Sequence, residues 1–153
     1  MNTHSDNDFS RDNQQERLKT ESWIVGFVDG EGCFSVSIFK NPTTKSGWQV
    51  LPEFVVTQGE KSLIALEEIQ KYFECGRIFI NKRYDNHHEH LYRYCVRRLR
   101  DIQEKIIPFF KENPLRTAKK KDFEKFVNAI QLINKKAHLT EDGLELLKQI
   151  KRS

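Results

Sequence analysis

The sequence predicts an α+β domain in which helices cover one face of a four-stranded antiparallel sheet. Three observations carry that prediction. Hydrophobic periodicity runs in the order helix, strand pair, helix, strand pair, then helices. A short polar stretch separates the members of each strand pair, as a hairpin loop would. The strands alternate apolar with polar residues, so one sheet face packs on helices while the other meets solvent. At 153 residues the chain has the length of one ordinary domain, able to bury roughly two-thirds of its surface.

Residues 1–20 are polar, mixed in charge and nearly free of large apolar side chains, which predicts a disordered tail ahead of one domain over 21–153. Asp6, Asp8, Asp12 and Glu16 argue against an organelle import peptide, which is arginine-rich and acid-poor. The first helix takes Ser22 as N-cap and runs through S-W-I-V-G-F-V-D-G-E-G, residues 22–32. Ser22, Val25, Gly26 and Asp29 recur at i, i+3, i+4 and i+7, a stripe of small residues along which a second backbone can approach closely. Trp23, Ile24, Phe27 and Val28 form the bulky apolar side. Asp29 lies in the last turn, where a negative charge opposes the helix macrodipole. Gly30 and Gly32 bracket Glu31 and permit an unusual backbone path. The stretch reads either as a helix ending in an Asp-Gly turn or as a device holding Glu31 at the foot of a packed helix to bind a metal.

Beyond Gly32, Phe34, Val36 and Ile38 alternate with Ser35, Ser37 and Phe39. Residues 41–47 read as a hairpin loop. The returning strand, 49–57, alternates Val50, Phe54 and Val56 with Gln49, Leu51, Glu53 and Val55, and Pro52 within it suits an edge or a bulge. A helix over 62–73 points Leu63, Leu66, Ile69 and Phe73 inward. The second pair is 76–83, with Ile78 and Ile80 against Phe79, Asn81 and Arg83, and 91–97, with Tyr92, Tyr94 and Val96 against Arg93, Cys95 and Arg97. A helix follows over 99–110, where Pro108 ends or kinks it. Further helices span 117–135, with Phe123, Phe126, Val127, Ile130 and Ile133 as its stripe, and 140–151, with Thr140 as N-cap.

Composition narrows the function. There are 26 basic and 22 acidic residues, a net charge of +4, which by itself suggests a polyanion partner only weakly. The distribution says more, since Arg77, Lys82, Arg83, Arg93, Arg97, Arg98 and Arg100 crowd one stretch and Arg116, Lys119, Lys120 and Lys121 another. Cys33, Cys75 and Cys95 lack the pattern of a disulfide framework or a zinc site. No apolar run approaches the ~20 residues of a membrane span, so a soluble, intracellular protein with no membrane partner is expected. The open sheet face collects Ser35, Ser37, Asn41, Gln49, Glu53, Asn81, Arg83, Arg93 and Arg97. That is what a solvated face needs, and also what pairs with base edges when a β-ribbon enters the DNA major groove. Phe39, Leu51, Val55 and Phe79 on the same side favour the second reading.

The residues I-V-G-F-V-D-G-E-G resemble the signature of the LAGLIDADG homing endonucleases. Gly26, Asp29 and Gly32 match outright, and Ile24, Val25, Phe27, Val28 and Gly30 are like for like. Glu31 stands where the signature has its second Asp. The resemblance extends to V-T-Q at 56–58, to P-L-R-T-A-K-K-K-D-F at 114–123 and to H-L-T-E-D-G-L at 138–144, covering nearly everything after Lys19.

That resemblance implies an αββαββα fold whose saddle-shaped sheet lies along duplex DNA. It implies Mg²⁺ held by Glu31 with the Gly30 carbonyl, a water ordered by Gln58, and a lysine supporting charge at the scissile phosphate. Lys119 is the best match for that lysine, with Lys120 and Lys121 as alternatives and phosphate contacts in their own right. Ser62 stands where a basic residue is frequent, with Lys61 beside it. The motif occurs once, so a homodimer is expected, its interface built on Ser22, Val25, Gly26 and Asp29, with Asp29 structural. The implied activity is intron-homing cleavage of a long, near-palindromic double-stranded site with short 3′ overhangs. It is encoded in an organelle or works in a bacterial or archaeal cytoplasm. An intron RNA maturase and an inactive DNA-binding regulator are the alternatives. His87, His88, Glu89 and His90 suggest a metal or HNH-type site, against a loop tip touching phosphate.

Overall fold

The computed structural model describes residues 5–84 and 89–153. Helix α1 spans Ser5–Glu31 and leads directly into strand β1, Gly32–Lys40. Strand β2 is Trp48–Gly59, helix α2 Leu63–Phe73, strand β3 Arg77–Asn81 and strand β4 Leu91–Val96. Helix α3, Leu99–Asp101, passes through a π turn at Ile102–Ile106 into α4, Ile107–Glu112; α5 is Lys119–Asn134 and α6 Glu141–Arg152. The four strands form one antiparallel sheet in the order β1-β2-β4-β3.

The alternation predicted for β1, β2 and β4 places the expected apolar side chains under the helices, whereas in β3 Ile80, expected inward, is 46% exposed, and Val55 and Cys95, expected on the open face, are buried. Phe34, Phe54, Val56, Tyr94 and Val96 are buried beneath the helices and join Ile24, Val28, Leu66, Ile69, Ile102, Ile106, Phe123 and Phe126 in the core. Much of that core is aromatic. Phe34 stacks on Phe54 at 5.1 Å between centroids and meets Phe110 edge-on at 5.3 Å, geometries that aromatic quadrupoles favour. Burial pushes the Tyr94 hydroxyl up in pKa, and it donates to the Cys75 carbonyl at 2.9 Å. The turn between α2 and β3 needs Gly76, which has φ +80° and would place a Cβ 2.7 Å from the Cys95 carbonyl oxygen.

Two expectations are corrected, and a third, that Pro108 ends or kinks its helix, is narrowed. Residues 5–20 do not form a disordered tail but continue α1. Residues 10–20 are exposed throughout, so local terms hold that half. It contains no Gly or Pro, and Arg17 Nε pairs with Glu21 at 2.9 Å one turn on. Glu21 also accepts from Tyr72 Oη at 2.7 Å, which ties α1 to α2. Pro52 lies in a central strand, in register with Val36 and without a bulge. Pairing of β2 with β4 stops at Phe54↔Val96, two residues short of Pro52, so its missing N–H disrupts no ladder there. Pro108 does not end its helix. The π turn just ahead of it relaxes the clash between a proline ring and the carbonyl four residues back.

Candidate active site and nucleic-acid interface

The C-terminal turn of α1 is where the chemistry-bearing residues meet. Ile24 and Val28 are fully buried and fix the helix on the sheet, which leaves Ser22, Gly26, Gly30 and Glu31 exposed. Trp23, expected on the buried side, is 37% exposed and packs on Phe27 with 5.3 Å between rings. Gly32 is fixed by packing within the chain, because a Cβ there would fall 2.5 Å from Val28 Cγ1. At Gly26 and Gly30 an added Cβ meets nothing within 4 Å. Nothing among the described residues explains those two glycines.

The segment before α5 docks on the same turn. Asp29 accepts from the backbone N–H groups of Arg116 at 2.8 Å and Thr117 at 3.1 Å, and from Thr117 Oγ1 at 2.6 Å. Removal from solvent pushes the Asp29 carboxyl up, but the Thr117 hydroxyl, the two N–H groups and the nearby Lys119 charge together hold it below its ordinary value. Lys119 Nζ donates to the Val28 carbonyl at 3.1 Å. A cation there complements the negative end of α1, whose own last turn has no basic residue. Of the three consecutive lysines only Lys119 makes this contact. Lys120 and Lys121 are exposed, and Lys120 lines a separate hollow with Phe110, Leu115 and Phe123.

Gln58 stands near the end of β2. Gly32 pairs with Val56, so Gln58 extends two residues past the last β1 partner, beside the junction of α1 and β1. Ser62 precedes α2 without a side-chain capping bond, and the backbone N–H of neighbouring Lys61 donates to the Glu89 carboxylate at 2.7 Å. His87 and His88 lie outside the described residues, while His90 Nδ1 accepts from the Arg83 N–H at 3.2 Å. Among the described residues no three His, Cys, Asp or Glu side chains converge as a metal cluster. The oxygen donors at the foot of α1 are the exposed Glu31 carboxylate and those last-turn carbonyls that Lys119 and Thr117 do not take up. This hard-oxygen set suits a hard divalent cation with further ligands from outside the chain.

The open sheet face carries the polar residues expected of it. Ser37, Phe39, Phe79, Asn81 and Arg83 are exposed, and Ser35, Gln49 and Leu51 half-buried. Two groupings were not anticipated from sequence. Asn41 Nδ2 donates to Gln49 Oε1 at 2.7 Å while its Oδ1 accepts from Thr43, so Asn41 closes the hairpin loop. Glu53 pairs with both Arg93 and Arg97. The signal for that trio was two bases and an acid on one face, but it needed the strand order to be read.

An αββαββα chain with an acid at the foot of its first helix and a four-stranded sheet beside it has the homing-endonuclease fold. The chain superimposes on the crystal structure of the homing endonuclease I-TnaI with a TM-score of 0.74 and 38% identity, covering 85% of this chain and 84% of that one. It superimposes on I-LtrWI, a LAGLIDADG homing endonuclease bound to target DNA, with a TM-score of 0.78 and 37% identity, covering 86% of this chain and 42% of that one. Residues 24–130 match the LAGLIDADG endonuclease family, and the chain belongs to it. Among named relatives, a probable intron-encoded endonuclease of Neurospora crassa is 33% identical over 132 residues, 86% of this chain and 26% of that protein. The homing endonuclease I-ApeII of Aeropyrum pernix is 34% identical over 106 residues, 69% of this chain and 59% of that protein. The chain thus spans about a quarter of the length of the Neurospora relatives it matches. No helix among the described residues is long and apolar enough to cross a membrane.

Proposed function

We propose that two copies of this chain act together as a Mg²⁺-dependent, site-specific DNA endonuclease of the intron-homing kind. The observation that carries this reading is the foot of α1: an exposed Glu31, a glycine stripe with room for another backbone, and Lys119 anchored on the same turn. When bound, the divalent ion activates water and stabilises charge on the attacking and leaving oxygens. Glu31 and the Gly30 carbonyl are the groups that would hold it. Gln58 orients the attacking water, and Lys119 places positive charge where the scissile phosphate gains negative charge. The open face, with Ser35, Ser37, Phe39, Asn41, Gln49, Leu51, Glu53, Phe79, Asn81, Arg83, Arg93 and Arg97, reads the major groove, while Lys120 and Lys121 contact phosphate.

One acid per chain serves one strand. Pairing through Ser22, Val25 and Gly26 brings two Glu31 carboxylates together near a two-fold axis, and the site recognised is then near-palindromic. Cleavage across the minor groove leaves short 3′ overhangs. An intron origin, in an organelle or a prokaryotic host, fits the intron-encoded relatives.

The test is incubation of the protein and Mg²⁺ with the intronless version of its host gene. Double-strand cleavage at one site is expected, and Glu31→Gln should abolish it while binding persists. Binding without cleavage by the wild-type chain would instead indicate a DNA-binding regulator. Stimulated splicing of the precursor RNA would indicate a maturase.

A further inference from the structure

On the open face a single carboxylate holds two arginines. Glu53 Oε1 accepts from Arg93 Nη2 at 3.0 Å, and Glu53 Oε2 accepts from Arg97 Nε. The Phe54↔Val96 pair sets Glu53 opposite Arg97, whereas Arg93 lies further along β4, beyond the Val55↔Cys95 pair. Its side chain therefore crosses that pair to reach the carboxylate. Val55 and Cys95, on the face without helices, are only 6% and 3% exposed. The Arg97 guanidinium carbon also lies 5.5 Å from the centre of the Phe79 ring, and that ring is 42% exposed.

The Glu53 side chain is only 12% exposed and needs a cationic partner, but one arginine would satisfy it. The Arg93 and Arg97 side chains are 38% and 45% exposed. With both arginine heads open to water the second pair adds little, and holding two long side chains in one geometry costs rotamer freedom. Nor does Glu53 suit a phosphate-rich surface in its own right, being an anion. Its geometry does suit fixing the plane of a guanidinium. Arg97 is held twice, by Glu53 through Nε and by Phe79 beneath its face. Its Nη1 and Nη2 groups have no protein partner among the described residues. Two adjacent nitrogens donating in parallel match a pair of neighbouring acceptors, and in the major groove guanine O6 and N7 are that pair.

We propose that Arg97 reads a guanine in each half-site through its free Nη1/Nη2 fork, with Glu53 and Phe79 as positioning residues that aim it. This rests on the DNA-binding reading above. The probe is a library of randomised DNA duplexes, with the full-length chain selecting its bound fraction for sequencing. Wild type should enrich guanine at one symmetric pair of positions. Arg97→Ala should relax guanine preference there by roughly 5- to 150-fold, the range of one bidentate contact. Arg97→Lys, which keeps the charge without the fork, should relax the same positions. Glu53→Gln and Phe79→Leu should do so too, leaving the other positions as selective as before. Arg97 variants that keep every preference would overturn the proposal while leaving the endonuclease reading intact. A Glu53→Gln loss spread evenly over all positions would reduce Glu53 to a structural role and overturn its part. A wild-type chain that enriches no sequence would overturn the endonuclease reading and this proposal with it.

Discussion

Asp29 and Glu31 are two residues apart on one helix and do different work because of what each touches. Asp29 is turned into its own chain and holds the approach to α5 through Arg116 and Thr117, whereas Glu31 is exposed. Replacing Asp29 by Asn keeps the size but leaves an N–H donor facing other donors. The expected cost is about 1–2 kcal/mol, in the range of a lost cap or a charge-assisted hydrogen bond at a partly open site. The pH dependence has a definite sign. The folded carboxyl lies below its ordinary value, so the native state binds its proton less readily than the unfolded chain does. Its stabilisation is therefore complete above the unfolded value of about 4 and fades as pH falls through the lower, folded value. Urea unfolding of wild type and Asp29→Asn at neutral and acid pH should converge toward the acid end. A gap that stays constant with pH would show that the charge on Asp29 is not what holds the segment.

Helix α1 makes the same division at the scale of an element, between what the chain needs for itself and what it offers to another molecule. Gly32 serves the chain, and Gly26 does not. Gly32→Ala should therefore impair folding, since the new Cβ collides with Val28. Gly26→Ala should leave the folded monomer intact and favour its helix by up to about 1 kcal/mol. Gly26→Leu should separate the proposed dimer, which light scattering at matched concentration would register. An unchanged assembly state in Gly26→Leu would place the interface elsewhere. The stripe of Ser22, Val25, Gly26 and Asp29 was legible in sequence as spacing, but the diverging roles of its members were not, because Asp29's partners lie 87 and 88 residues away. The core-facing side of the central strands was legible for a simpler reason: period-two alternation marks it, and Phe34, Phe54, Tyr94 and Val96 obey it, while Ile80 at the sheet edge and Val55 and Cys95 under the Glu53 trio do not follow it. The helical residues 10–20 were not legible, because an exposed helix leaves no apolar stripe to detect. The Glu53 trio needed long-range order too, since β2 meets β4 only after a helix and a strand have intervened.

At the scale of the whole molecule, the number of acids sets the number of chains. The described residues hold one acid at the foot of α1 that is not tied up within the chain, Glu31, with Lys119 and Gln58 beside that turn, and two DNA strands need two such sets. The proposed dimer therefore divides its work by strand: each subunit's Glu31 serves one phosphodiester, and losing one should spare the other. Mixing wild-type chain with an equal amount of Glu31→Gln, and allowing subunits to exchange, yields roughly half mixed dimers if pairing is random. Because Glu31 is exposed and glutamine has nearly the same shape, the mixed dimers should fold and bind as wild type does. On a supercoiled plasmid carrying the target, they should release nicked circles, broken always in one strand per molecule, while wild-type dimers release linear DNA. Nicked product should be greatest near equal mixing and vanish in either pure preparation. A mixture giving only linear DNA, in proportion to its wild-type content, would mean that one chain cuts both strands. The division of labour derived from a single acid per chain would then be wrong.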